Sequence, residues 1–127
     1  MRCTRGRLFD VLIDLRPDSL AYLKHRALIL DEDRQDAVFI PYGVAHGFQT
    51  LADCTEVFYQ MTDFFLPQLT AGVRWNDPAF AITWPVSEVV LSERDARCPD
   101  FNRDSFEVEL IRRRQRTRLG GEESIKT

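Results

Sequence analysis

The chain has 127 residues, 44% of them hydrophobic and 29% charged, with a formal net charge of −3. That length suits one domain around one core, and the composition excludes both a disordered chain and a membrane-spanning one. No apolar run nears the ~20 residues of a transmembrane helix, the N-terminal MRCTRGRLFD lacks a signal-peptide core, and the acidic balance argues against general nucleic-acid binding. A cytoplasmic protein with no membrane and no nucleic-acid partner is the expectation.

In chain order, Gly6 opens RLFDVLIDLR, where Leu8, Asp10, Leu12 and Asp14 alternate with Phe9, Val11, Ile13 and Leu15. One parity is continuously apolar, the pattern of a strand with a buried side. Arg16-Pro17-Asp18-Ser19 ends it with turn chemistry. RALIL (Arg26 to Leu30) and AVFIP (Ala37 to Pro41) read as short strands separated by the charged turn Asp31–Asp36.

Next comes IPYGVAHGFQTL, Ile40 to Leu51, and then TEVFYQMTDFF, Thr55 to Phe65. A tight connection through Leu51-Ala52-Asp53-Cys54-Thr55 predicts an antiparallel hairpin of residues 46–50 with 56–60. Pairing Leu51 with Cys54 would put His46 opposite Tyr59, on one face of the sheet. Val57, Tyr59, Met61, Asp63 and Phe65 share a parity.

Beyond Pro67 the chain is irregular and holds both tryptophans, Trp75 and Trp84; a last short strand is predicted at Glu88 to Leu91. FEVELI, Phe106 to Ile111, suits an edge strand, or a helix capped after Asp104 or Ser105, and GGEESIKT reads as a mobile terminus. The run RRRQRTR, Arg112–Arg118, reads as a solvated helix face or tail. Evenly spaced short strands point to a closed or double-sheet antiparallel β domain. Cys3, Cys54 and Cys98 form no Cys-x-x-Cys pair and read as buried, inert thiols, and two distant histidines make no metal site.

Five ordered blocks, RGRLFDVLIDLR, IPYGVAHGFQTL, FYQMTDFF, VRWNDPAFAITWP and LSERDARCP, resemble the dTDP-4-dehydrorhamnose 3,5-epimerases of the cupin superfamily. The resemblance implies an all-β cupin jelly roll, a double-stranded β-helix, over 1–101, followed by a C-terminal extension, 102–127, partly mobile and helical or disordered. It also implies a homodimer, no metal or redox cofactor, and a dTDP-4-keto-6-deoxy sugar as ligand in dTDP-L-rhamnose biosynthesis. By the same resemblance Tyr59 is the proton-donor tyrosine and Asp95 the carboxylate that orients the base histidine. His46 and Arg94 match ligand-binding positions, and Phe65 an aromatic that stacks on the thymine ring. Arg74-Trp75-Asn76-Asp77-Pro78 is diagnostic of the family and carries no direct chemistry; His25 has no assigned role and is expected to be exposed.

The resemblance begins inside the family's domain, so the expected jelly roll is incomplete at its N-terminus. The family's base histidine sits in an Arg-Gly-Leu-His type motif that this sequence does not contain. The alternative to an active epimerase is therefore a catalytically inactive sugar-nucleotide-binding or structural cupin.

Overall fold

A computed structural model describes residues 1–62 and 71–106. Among them are five strands, β1 (Arg2–Arg5), β2 (Arg7–Asp14), β3 (His25–Asp31), β4 (Val44–Thr50) and β5 (Glu56–Phe58), and a short helix, α1 (Glu93–Ala96). The described fold is all-β in its regular structure, as expected.

β2 is the central strand of a three-stranded antiparallel sheet in the order β3-β2-β4, while β1 pairs with β5 in a second sheet. Gly6 joins β1 to β2 at φ 74°, a conformation that side chains rarely adopt, and a Cβ there would lie 2.7 Å from Thr55 Oγ1. The chain turns a corner at this glycine. Across it, Leu51 N donates to Arg7 O (2.8 Å), and the Thr55 hydroxyl reaches Arg7 O and Ala52 O. Two neighbouring segments thus pass together from one sheet to the other, with the β1–β5 register shifting between Cys3 and Arg5.

The two faces of β2 have different neighbours. Val11 and Ile13 pack with buried Phe80 and, around them, Phe9, Val73, Ile82, Trp84 and Phe101. Phe9 meets Trp84 edge-on (centroids 5.7 Å), and Phe80 meets Phe101 at 5.1 Å. Burying an aromatic such as Phe80, 4% exposed, contributes about 1.5–3 kcal/mol. The covering segment is braced by polar bonds. Trp84 Nε1 donates to Trp75 O (2.8 Å), Arg74 pairs with Asp100, and buried Asp77 accepts from the amides of Ala79 and Phe101. The Arg74–Pro78 motif is thus a bracket that holds its own segment against the sheet. Gln49 adds a second clamp, its amide bonding both the N and the O of Val86.

The other face carries Leu8, Asp10, Leu12 and Asp14. At the corner Leu8, Leu30 and Cys3 form a small core with Met1, Val38 and Val57. Further along, the face also presents Leu28 and Arg26 from β3 and His46 and Phe48 from β4, and the 71–106 segment packs on the opposite side.

Several expectations change. The hairpin of 46–50 with 56–60 is not formed: His46 pairs with Leu12, and β5 pairs with β1, so Tyr59 does not face His46. The corner at 51–55 separates β4 from β5, and the long apolar β2 outcompetes the nearby segment as a partner. Ala37 to Pro41 forms no strand and is tied to the N-terminus by an Arg2–Ala37 bridge and Met1–Val38 bonds. Phe39 is already 83% exposed, and Pro41 has no N–H to offer a ladder. Glu88 to Leu91 forms no strand; Val90 is 99% exposed, since β-propensity without a partner strand orders nothing.

A helical turn occupies 103–106, capped by Asn102 Oδ1 accepting from Ser105 N (2.9 Å), two residues earlier than the first expected cap. Phe106 lies in that turn, and the rest of the predicted 106–111 strand falls outside the described residues, as does the arginine run. Cys3 is buried, and desolvation raises its thiol pKa; Cys98 is partly buried, whereas Cys54 is exposed at the corner, φ 56°, against expectation. His25 is exposed, as expected.

Candidate functional site

Asp10 and His46 make the most distinctive polar pair on the face away from the 71–106 segment. Asp10 is fully buried (0% exposed) in the middle of β2, while the His46 side chain is 37% exposed. His46 Nδ1 stands 3.4 Å from Asp10 Oδ1, a long contact. The two are diagonal neighbours, since Asp10 is opposite Phe48 and His46 opposite Leu12.

A carboxylate only accepts, so the pairing favours the tautomer with the proton on Nδ1, leaving Nε2 as an acceptor. Asp10 Oδ2 has no hydrogen-bond partner among the described residues. A buried carboxylate costs free energy unless it is paired, so its place in a strand core calls for a reason beyond packing.

Local structure sets His46 on β4. Pro41 to Val44 is a β-turn closed by Val44 N to Pro41 O (3.2 Å), with Gly43 at φ 83° in its third position. Gly43 O accepts from Leu15 N (3.0 Å), and a Cβ on Gly43 would lie 2.6 Å from Arg16 Cγ. This close approach seats the start of β4 beside the end of β2. Gly47 differs: nothing lies within 4 Å of where its Cβ would be.

The other expected residues are spread over separate elements. Tyr59 lies one residue beyond β5 and is 62% exposed. Asp95 and Arg94 are exposed on α1. Asp95 is engaged locally: its amide donates to Ser92 Oγ (3.1 Å) and its carboxylate accepts from the same hydroxyl (2.7 Å). Phe65 lies outside the described residues. Among the described residues no hydrogen bond or ion pair joins any two of His46, Tyr59, Arg94 and Asp95.

Asp10 was missed by sequence reasoning. Its signal was FDVLID, two carboxylates on the parity of Leu8 and Leu12 in a strand whose other parity is wholly apolar. Alternation assigns such residues to solvent, yet Asp10 and Asp14 are both buried.

Comparison with known proteins places this geometry. The family model for dTDP-4-dehydrorhamnose 3,5-epimerase matches residues 1–103. The Escherichia coli (strain K12) enzyme of that name is 41% identical over 98 residues, covering 76% of this chain and 53% of that protein. A Bacillus anthracis dTDP-4-dehydrorhamnose 3,5-epimerase, solved with TDP and PPi bound, superposes with a TM-score of 0.77 at 37% identity, over 79% of this chain and 57% of that one. A Legionella pneumophila dTDP-6-deoxy-D-glucose-3,5-epimerase, in complex with dTDP-4-keto-L-rhamnose, gives 0.67 at 27% identity, over 80% of this chain and 60% of that one. The chain spans about half the length of the curated relatives it matches. Its strands and corner are those of the cupin jelly roll, and the chain belongs to the dTDP-4-dehydrorhamnose 3,5-epimerase family.

Proposed function

We propose that the chain serves a 3,5-epimerase-type isomerisation of a dTDP-4-keto-6-deoxy sugar in dTDP-L-rhamnose biosynthesis, as a cytoplasmic homodimer. The carrying observation is the buried Asp10 holding His46 on a face away from the covering segment, in a chain that matches the epimerase family over 1–103. The ligands bound by the relatives, TDP with PPi and a dTDP-4-keto sugar, supply the substrate class.

The chemistry follows from the substrate. A ketone at C4 acidifies the hydrogens on C3 and C5. A base removes one, donors stabilise the enolate, and an acid on the other side of the ring returns a proton and inverts the centre. No metal or redox step is needed. In this reading Tyr59 returns the proton, Asp95 takes the position that orients the family's base histidine, whose Arg-Gly-Leu-His type motif this sequence does not contain, and His46 hydrogen-bonds the sugar through Nε2. Arg94 meets the diphosphate and Phe65 stacks on the base. The domain is assigned to 1–101, with 102–127 as an extension.

A second reading, a sugar-nucleotide-binding cupin without catalysis, is favoured by one observation. Asp95 is held by Ser92 and contacts neither His25 nor His46 among the described residues. Solvent deuterium entering C3 and C5 of dTDP-4-keto-6-deoxyglucose, followed by NMR, separates the two. Exchange in wild type, with inversion at C3 and C5 that falls roughly 10²–10⁴-fold in Tyr59→Phe, supports the epimerase. Tight dTDP binding with no exchange supports the binding protein.

A further inference from the structure

The register of β2 lines up with His46 a charged side chain to which the family resemblance assigns no role. Arg26 on β3 lies opposite Leu12, and Leu12 lies opposite His46 on β4. Directly opposed residues share a face, so Arg26, Leu12 and His46 cross the site face in one line. The next row is Leu28, Asp10 and Phe48. Neighbouring strands stand about 4.8 Å apart, which sets Arg26 and His46 roughly 10 Å apart over a leucine floor. That spacing accommodates a sugar between two polar side chains.

Arg26 is exposed, and its side chain makes no hydrogen bond or ion pair among the described residues. The carboxylates nearby on its face are otherwise engaged or covered. Asp14 is bound by Arg16 and Ser19, and Asp10 is fully buried beneath His46. His25, the neighbouring histidine, pairs with Ile13 and so belongs to the other face. A charged residue on an edge strand also discourages unwanted strand pairing. That role requires exposure alone, and gives no reason for alignment with the one histidine that a buried carboxylate holds.

We propose that Arg26 is a ligand-binding residue that takes phosphate oxygens of the sugar nucleotide whose sugar lies against His46. A guanidinium offers two parallel N–H donors to a phosphate, a match that an ammonium group cannot reproduce. The assignment rests on the sugar-nucleotide reading above, and adds a phosphate contact on β3, on a different element from Arg94.

The test is titration calorimetry of the 127-residue chain with dTDP, inorganic diphosphate and thymidine. It compares wild type with Arg26→Met, Arg26→Gln and Arg26→Lys, each checked for folding by circular dichroism. The expected result is a dissociation constant at least ~10-fold higher for dTDP and diphosphate in both uncharged variants, the loss of a charge-assisted contact. Thymidine binding stays unchanged, and Arg26→Lys falls between. Uncharged variants that bind dTDP and diphosphate as wild type does would overturn the proposal, as would a wild type that binds neither. Arg26-dependent diphosphate binding with no preference for dTDP would uphold Arg26 and overturn the nucleotide reading alone.

Discussion

Asp10 and Asp14 sit on the same parity of β2, both buried, and each is accommodated differently. Asp14 accepts from Arg16 N (3.0 Å), Arg16 Nε (2.9 Å), Arg16 Nη2 (2.7 Å) and Ser19 Oγ (2.7 Å). Arg16, then Ser19, holds its carboxyl well below the usual carboxylate range. The folded value is depressed below the unfolded one, so the stabilisation is present above about pH 4 and is lost as pH falls towards the folded value. Urea unfolding is expected to show wild type losing stability below about pH 4, with a shallower slope for Asp14→Asn. At pH 7 that variant is expected to be about 1–3 kcal/mol less stable. Asp10, by contrast, has one long contact, to His46 Nδ1, and an unpartnered oxygen. Asp10→Asn is expected to mix the two His46 tautomers, read as a change in the imidazole nitrogen shifts, whereas wild type is expected to keep the proton on Nδ1.

At the scale of elements, the corner decides which strands pair. Gly6→Ala is expected to cost about 2–4 kcal/mol in thermal or urea unfolding, because φ is positive and the new Cβ meets Thr55 Oγ1 at 2.7 Å. Gly47→Ala, where the space is open, is expected to stay within about 0.5 kcal/mol. Gln49→Ala should raise amide hydrogen exchange at Val86 roughly tenfold, since it removes the side-chain clamp. The sequence disclosed β2 and β3 because alternation and a charged turn are local signals. It also disclosed the position of β4, but gave it the wrong partner. A hairpin rule weighs only the length of the connection, whereas the real partner of β4 is the distant β2, with His46 opposite Leu12 and Phe48 opposite Asp10. The buried carboxylates were illegible for a related reason: their compensation comes from Arg16, Ser19 and His46, and only the fold brings His46 near.

For the whole molecule, the two faces of the β3-β2-β4 sheet divide the work. One is packed by Phe80, Trp84 and Phe101, and the other carries Asp10, His46, Arg26 and Phe48, the last 45% exposed. Family membership was readable from five ordered blocks, and the matched range of 1–103 agrees with it. The relation among His46, Tyr59 and Asp95 was not readable, because each stands on a different element. The chain contains only two histidines, His25 and His46, which lie on opposite faces of the sheet. A long-range proton–nitrogen spectrum of the ¹⁵N-histidine-labelled chain, recorded while dTDP-4-keto-6-deoxyglucose is added, therefore tests the site directly. The His46 ring signals are predicted to move with saturation while those of His25 stay in place; movement of His25 alone, or of neither histidine, would contradict the assignment of the site.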